Sequence, residues 1–456
     1  MGVIDKDQKN FSLVHVLVFY NLLLAGVSFI KDTVLASYFG TSGTADAINL
    51  AFFLPDMLGN NLIGAAIAVS CIPILTQLSL KEDQSLYQDT ILKIGALVIT
   101  STILILITSL FLFQPLFQLF PFETYENSTT VYNNFIIMIP IICFAPLWLM
   151  GSSVLQSSRN FIVPAVTPIL FNLFLLITLL WCQWQGIPQR DGGKAFSYAS
   201  TFGTLLCVIV TWTSIIRRQK WSYSFQSFNF KSDFTEVRKV LITFSSYVLI
   251  LFFTQIGLVV ERLFAGSLQT GTIAALTYAY RLAQFPLWVF IAAITTFILP
   301  TISFHIQKND ITALKQDLMK SLVLVIGCSS VISLILILFT EQIVGLLFLR
   351  GTFTVDSVLL TGNILKGYGL SIIGQSLYVF CTRYYIAQGY MKAPLFIGLA
   401  GCCLNIFLLF ILVPLLGPGG IGYSVAISSS ISGTLLLIHL IKSLINVGKR
   451  GETLIA

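Results

Sequence analysis

The chain has 456 residues, 56% of them hydrophobic and only 10% charged, with 26 Lys and Arg against 19 Asp and Glu. Its mean hydropathy is +0.88. Soluble domains carry about 25% charged residues, so the charge needed to wet a surface is missing, and a soluble globular protein is excluded.

A helix that crosses the roughly 30 Å hydrocarbon core of a bilayer needs about 20 apolar residues. In chain order such stretches lie near 11–31, 44–78, 90–113, 131–156, 161–183, 196–216, 239–266, 272–303, 318–340, 358–388, 393–416 and 421–443. Each must be helical, because lipid offers backbone groups no hydrogen-bond partners. The fold class predicted is an all-α polytopic membrane protein with about twelve spans.

The first stretch is full length, is followed by Lys31-Asp32 and has no small-x-small cleavage pattern, so it reads as a retained helix rather than a signal peptide. The second and eighth are over-long and contain Pro55 and Pro286, which should kink or break them and are the candidate hinges. Eight cysteines lie inside apolar runs and read as small core hydrophobes. The three His residues are scattered, so no metal site is expected.

The basic residues set an orientation. With the N-terminus in the cytoplasm, the inside segments hold 18 of the 26 Lys and Arg, Lys93 and Arg159 among them. The outside segments hold Lys31, Arg190, Lys194 and Arg350, and Arg262, Arg281, Lys366 and Arg383 lie within helices. That asymmetry follows the positive-inside rule and places both termini in the cytoplasm. Basic loops facing an anionic leaflet account for the net charge of +7 without nucleic acid.

The longest cytoplasmic loop divides the chain into an N-terminal six-helix bundle (1–220), a linker (221–238) and a C-terminal six-helix bundle (239–456). The halves resemble each other. Lys31 aligns with Arg262, Gly40-Thr41 with Gly271-Thr272, and Pro55 with Pro286, all 231 residues apart. Asn172-Leu-Phe-Leu-Leu aligns with Asn405-Ile-Phe-Leu-Leu, and Gly203-Thr-Leu-Leu with Gly433-Thr-Leu-Leu. An even number of helices per half makes this a parallel repeat, an architecture used by alternating-access transporters.

An ionisable side chain near the bilayer centre costs roughly 2.5–3.5 kcal/mol on insertion scales and needs a partner or a wet cavity. The candidates are Lys31, Asp32, Asp46, Asp56, Glu261, Arg262, Arg281, Lys366 and Arg383. Seven of these nine belong to the first helix pair of each repeat. Lys31, Arg262 and Arg281 read as cations that meet an anionic substrate group, since the Arg fork matches phosphate oxygens. Asp46, Asp56, Glu261 and Lys366 read as gating or charge-pairing residues.

The alternative is that all these charges only pair with one another. Adjacent helix positions do not face each other, so Glu261 and Arg262 each need a further partner, and Asp46 and Asp56 are available. Arg383, near the cytoplasmic end of its helix, can snorkel instead. No phosphate-cradling Gly-rich loop with Lys-Ser/Thr occurs, which argues against direct ATP use. Neither catalytic residues nor a cofactor is expected, and the coupling ion is left open.

Several segments together resemble one family. Phe29-Ile-Lys-Asp-Thr-Val-Leu-Ala-Ser-Tyr-Phe-Gly, then Ala45-Asp-Ala and Phe53-Leu-Pro-Asp, resembles the opening of the MurJ/MviN lipid II flippases. Val154-Leu-Gln-Ser-Ser-Arg-Asn-Phe-Ile-Val-Pro, Leu276-Thr-Tyr-Ala-Tyr-Arg-Leu-Ala-Gln-Phe-Pro, Leu346-Leu-Phe-Leu-Arg-Gly-Thr-Phe and Arg383-Tyr-Tyr-Ile-Ala-Gln-Gly are similar to later signatures, in order.

The resemblance implies a MATE-like (MOP) fold, with two six-helix bundles around a central cationic cavity. It further implies export of the undecaprenyl-pyrophosphate-linked peptidoglycan precursor, lipid II, across the bacterial cytoplasmic membrane. Membrane lipids would be its other partners, nucleic acid would not, and the protein would be a monomer. Arg281 matches the family's cavity arginine in the eighth helix, Lys31 stands at its Arg before Asp, and Asp46 matches the Asp of Ala-Asp-Ala.

There are departures from the family pattern. Ala25 stands where the family has a second arginine, Gly59 and Asn60 replace an Arg pair, and Asp56 replaces Asn. The family usually has fourteen helices, the last two lining a groove for the lipid tail. A flippase for another polyprenyl-linked glycan, a MATE-type small-molecule exporter and an envelope scaffold are the competing readings. A drug-cation exporter would need an anionic cavity.

Overall fold

The computed structural model of the chain describes residues 2–80, 84–117, 125–218, 234–287, 302, 305, 311–388 and 390–452. No strand occurs among them, and eleven helices are long and apolar enough to cross a membrane. The predicted eighth span, 272–303, is described only to Leu287 and lies outside the described residues from there to 301.

The N-terminal elements are α1 (Gly2–Phe39), α2 (Gly43–Asp56), a π-helical segment (Met57–Gly64), α3 (Ala65–Leu80), α4 (Gln84–Phe117), α5 (Tyr125–Met138), α6 (Ile141–Ser157), α7 (Ile162–Trp184) and α8 (Gln189–Arg218). After them come α9 (Thr235–Gly266), α10 (Thr272–Pro286), α11 (Ile311–Leu338), α12 (Thr340–Phe348), α13 (Val355–Gln388), α14 (Lys392–Leu416) and α15 (Gly419–Glu452). The chain falls into two compact units, Met1–Gln255 and Ile256–Ala456, so the boundary lies inside α9. The predicted linker, 221–238, is described only from Phe234.

Residues 231 apart repeat their backbone as well as their identity. Gly40, just after α1, and Gly271, at the N-cap of α10, both lie between the first two helices of their repeat in the left-handed region, at φ 59° and 93°. Gly186 and Gly417 take the same region after α7 and α14, at φ 61° and 59°. Only glycine adopts that region without a steric cost, which is why it recurs at these helix ends. At the first of these turns Ser42 caps α2, its Oγ accepting from Ala45 N at 3.2 Å.

The proline-bearing second stretch is not continuous α-helix. Pro55 cannot donate a backbone hydrogen bond, and the helix beyond Asp56 relaxes into the π-helical turns of Met57–Gly64 before α3 resumes. Glycine lets this segment press on α6. A Cβ at Gly59 would lie 2.8 Å from Ile141 O, and one at Gly64 would lie 2.4 Å from Leu149 Cδ1. The predicted span 131–156 is also interrupted, at Ile139-Pro140, between α5 and α6.

Each unit has its own apolar core. In the first, Ile67, Cys71, Leu75, Ile91, Met150 and Val237 join α3, α4, α6 and the start of α9. In the second, Leu336, Ile372, Phe380, Tyr384, Leu436 and Leu440 join α11, α13 and α15. Lipid is as apolar as leucine, so helices within a bilayer gain by close backbone approach rather than by hiding side chains from water. The α13–α15 pair shows this: a Cβ at Gly374 would come within 2.4 Å of Ser430 N, and one at Gly367 within 2.3 Å of Gly422 C. All eight cysteines carry free thiols.

Among the described residues only one non-glycine residue takes the left-handed backbone: Arg159, at φ 60° in the α6–α7 turn. For an L-residue this conformation costs roughly 1–2 kcal/mol.

Candidate functional site

The ionisable residues singled out in the sequence occupy distinct settings in the two units. In the first, Lys31 is buried in α1, and its Nζ lies 2.9 Å from Asp32 Oδ1. The flexible lysine stem bends back to its neighbour, so this pair of adjacent residues does meet. Asp46, in the first turn of α2, is buried as well. Asp56, the last residue of α2, accepts from Asn60 Nδ2 at 3.3 Å and from Asn61 Nδ2 at 2.9 Å. The π-helical spacing carries Asn61, five residues on, over the carboxylate. Gly59 and Asn60, which depart from the family's Arg pair, thus have local roles: Asn60 binds Asp56, and at Gly59 only hydrogen fits against Ile141 O.

The second unit builds a polar centre around Glu261 of α9, whose relative exposure is 4%. A carboxylate withdrawn from water costs several kcal/mol unless hydrogen bonds replace its hydration. Here Tyr368 Oη of α13 donates to Oε2 at 2.7 Å and Asn405 Nδ2 of α14 donates to Oε1 at 3.0 Å. Both donors, a phenol and an amide, belong to the same unit as Glu261.

Arg262, at 9% exposure, donates from Nη1 to Leu258 O at 3.2 Å. Tyr280 of α10 lies edge-on to Tyr368 with ring centroids 5.8 Å apart. Arg281 follows, half-buried and near enough to Arg262 for their like charges to oppose. Two guanidiniums therefore share this region with one hydrogen-bonded carboxylate.

Lys366 stands apart from this centre. Its Nζ pairs with Glu341 Oε1 of α12 at 3.2 Å, and both side chains are substantially exposed. Arg383 is half-buried near the end of α13. Pro55 precedes the π-helical segment and Pro286 ends α10, where Leu287 is also π-helical. Sequence reasoning missed Tyr368 and Tyr280, which are uncharged and so escaped a search for ionisable groups. Asn405 did leave a trace, as the first residue of the repeated Asn-x-Phe-Leu-Leu motif. Its counterpart Asn172 donates along its own helix, to Pro168 O at 2.9 Å, and position 30, aligned with Glu261, is an isoleucine.

Repeated bundles of membrane-length helices with charges buried in their apolar interiors define a multi-pass membrane protein. The fold is that of the MATE-like (MOP) transporters. The structure aligns with an inward-facing multidrug resistance MATE family transporter of the MOP superfamily at a TM-score of 0.79, with 12% identity, covering 93% of this chain and 96% of that one. It aligns with the lipid II flippase MurJ in an inward closed conformation at 0.78, with 22% identity, covering 95% and 89%.

The family described as lipid II flippase MurJ matches residues 35–454, and the chain belongs to it. Among relatives, the probable lipid II flippase MurJ of Thermotoga maritima is 25% identical over 409 residues, 88% of this chain and 79% of that protein. That of Haemophilus influenzae is 24% identical over 439 residues, 91% and 82%.

Proposed function

We propose that the chain is a flippase that moves lipid II from the inner to the outer leaflet of the bacterial cytoplasmic membrane by alternating access, with both termini in the cytoplasm. The observation that carries this reading is family membership over nearly the whole chain together with the cations of the second unit. Arg262 and Arg281 lie within largely apolar helices, where an anionic substrate group gives them a use. The diphosphate of lipid II is such a group, and guanidinium forks match its oxygens. Lys31, partly neutralised by Asp32, is a secondary contact.

The arrangement also favours this reading over export of small cations, which would call for carboxylates where these arginines stand. The buried carboxylate of the second unit is already engaged by Tyr368 and Asn405. The positive-inside distribution supports the termini.

The test is a leaflet-accessibility assay for lipid II in bacteria depleted of their own flippase and supplied with this chain. Lipid II should become accessible from outside. Its retention in the inner leaflet, with the protein present at normal level, would refute the reading.

A further inference from the structure

Arg159 closes the α6–α7 turn. Asn160 N donates to Leu155 O at 2.8 Å and Arg159 N to Gln156 O at 3.0 Å. The six-to-one bond marks a turn whose left-handed residue is usually glycine. The second repeat makes the matching bond, from Tyr390 N to Tyr385 O at 3.0 Å, and the residue before Tyr390 is Gly389. One copy of the repeat thus carries glycine at this place, while the other carries arginine and bears the strain.

Among the described residues no side chain offsets that strain. The Arg159 side chain is exposed and makes no ion pair or side-chain hydrogen bond with any described residue. Its neighbour Asn160 is 7% exposed, and its Nδ2 has no acceptor among the described residues. The start of α4 packs against the same helix end, with Tyr87 Oη 2.9 Å from Ser157 Oγ. A strained backbone that presents an exposed cation with no partner among the described residues, next to a buried donor that also lacks one there, can take acceptors from outside the chain. A phosphate on a lipid supplies several, and the guanidinium fork suits them.

We propose that Arg159 and Asn160 form a docking point for the diphosphate of the polyprenyl-linked substrate at the cytoplasmic face, where it is received before translocation. This deepens the flippase reading and rests on it and on the cytoplasmic placement of the α6–α7 turn.

The test uses the full chain, purified into nanodiscs, as wild type, Arg159→Gly and Arg159→Lys. Undecaprenyl diphosphate is titrated in phosphatidylcholine discs, and retention of phosphatidylglycerol is measured separately. Glycine removes the strain, so the Arg159→Gly variant should unfold at the wild-type temperature or above it, yet bind the diphosphate about tenfold more weakly, the loss of a charge-assisted hydrogen bond. Arg159→Lys should retain part of the binding.

Wild-type diphosphate binding by Arg159→Gly would overturn the proposal. So would a loss confined to phosphatidylglycerol retention, which would make the arginine a general lipid anchor. A lowered unfolding temperature for Arg159→Gly would overturn it as well, since the arginine would then be holding the turn. Arg281→Ala, assayed for lipid II transport beside these, separates the two claims. If it abolishes transport while Arg159→Gly binds normally, only the docking point falls. If it transports normally, the arginine-based flippase reading fails.

Discussion

A carboxylate inside a helical bundle must find donors, and Glu261 finds them in Tyr368 and Asn405, 107 and 144 residues away in the chain. Removing one donor leaves a buried acceptor half satisfied, which costs about 1–3 kcal/mol. Tyr368→Phe keeps the ring against Tyr280 and deletes only the hydroxyl. It should therefore lower the thermal midpoint of the detergent-purified protein, and an unchanged midpoint would mean that Glu261 does not depend on the phenol. The sequence revealed Glu261 as a costly residue because a charge in an apolar helix stands out. It could not reveal the donors, since Tyr and Asn are unremarkable in a membrane helix and only the packing of α13 and α14 brings them to the carboxylate. The Lys31–Asp32 pair was hidden for another reason: helix geometry argues against contact between adjacent residues, and a long lysine stem evades that argument.

At the scale of elements, charge counting assigned Lys93 to a cytoplasmic segment, yet α4 buries it to 1% exposure. Its Nζ lies 2.6 Å from Asp89 Oδ2 and 5.1 Å from the ring centroid of Phe234, so it ties α4 to the residue that leads into α9. Lys93→Met strands Asp89 in a low-dielectric site and should cost about 3 kcal/mol, whereas Lys93→Met with Asp89→Leu should recover most of it. Equal destabilisation in the single and double variants, read by thermal unfolding, would place the importance of Lys93 elsewhere than in this pair.

Helix contacts make a second contrast. At Gly374 a Cβ would meet backbone at 2.4 Å, while at Gly327 of α11 nothing lies within 4 Å. Gly374→Ala should separate α13 from α15 and sharply reduce folded protein, and Gly327→Ala should change stability by about 1 kcal/mol or less. Similar behaviour of the two would contradict the close packing described. The break near Pro55 was legible because proline lacks a donor. Its π-helical form was not, because that depends on Gly59 and Gly64 seating against α6.

For the whole molecule, the 231-residue repeat was readable from a handful of aligned residues, and the left-handed pair Gly186 and Gly417 extends it to positions that hydropathy and motif matching passed over. What the repeat left unread is the asymmetry that gives the second unit Glu261 where the first has Ile30. Charge distribution predicts the orientation: reporters fused after Ser85 and Ser227 should score cytoplasmic, and reporters after Asn127 and Gly271 external. An inside score at Asn127 would undo the helix count on which the parallel repeat depends. The central claim, that these bundles carry lipid II across a bilayer on arginines within apolar helices, is tested most directly by reconstitution. The purified chain is placed in liposomes with labelled lipid II, and the fraction of label open to an impermeant quencher is followed over time. Wild-type protein should expose the protected leaflet while Arg281→Ala leaves it protected. Equal exposure by both, or exposure no faster than in protein-free liposomes, would contradict the account.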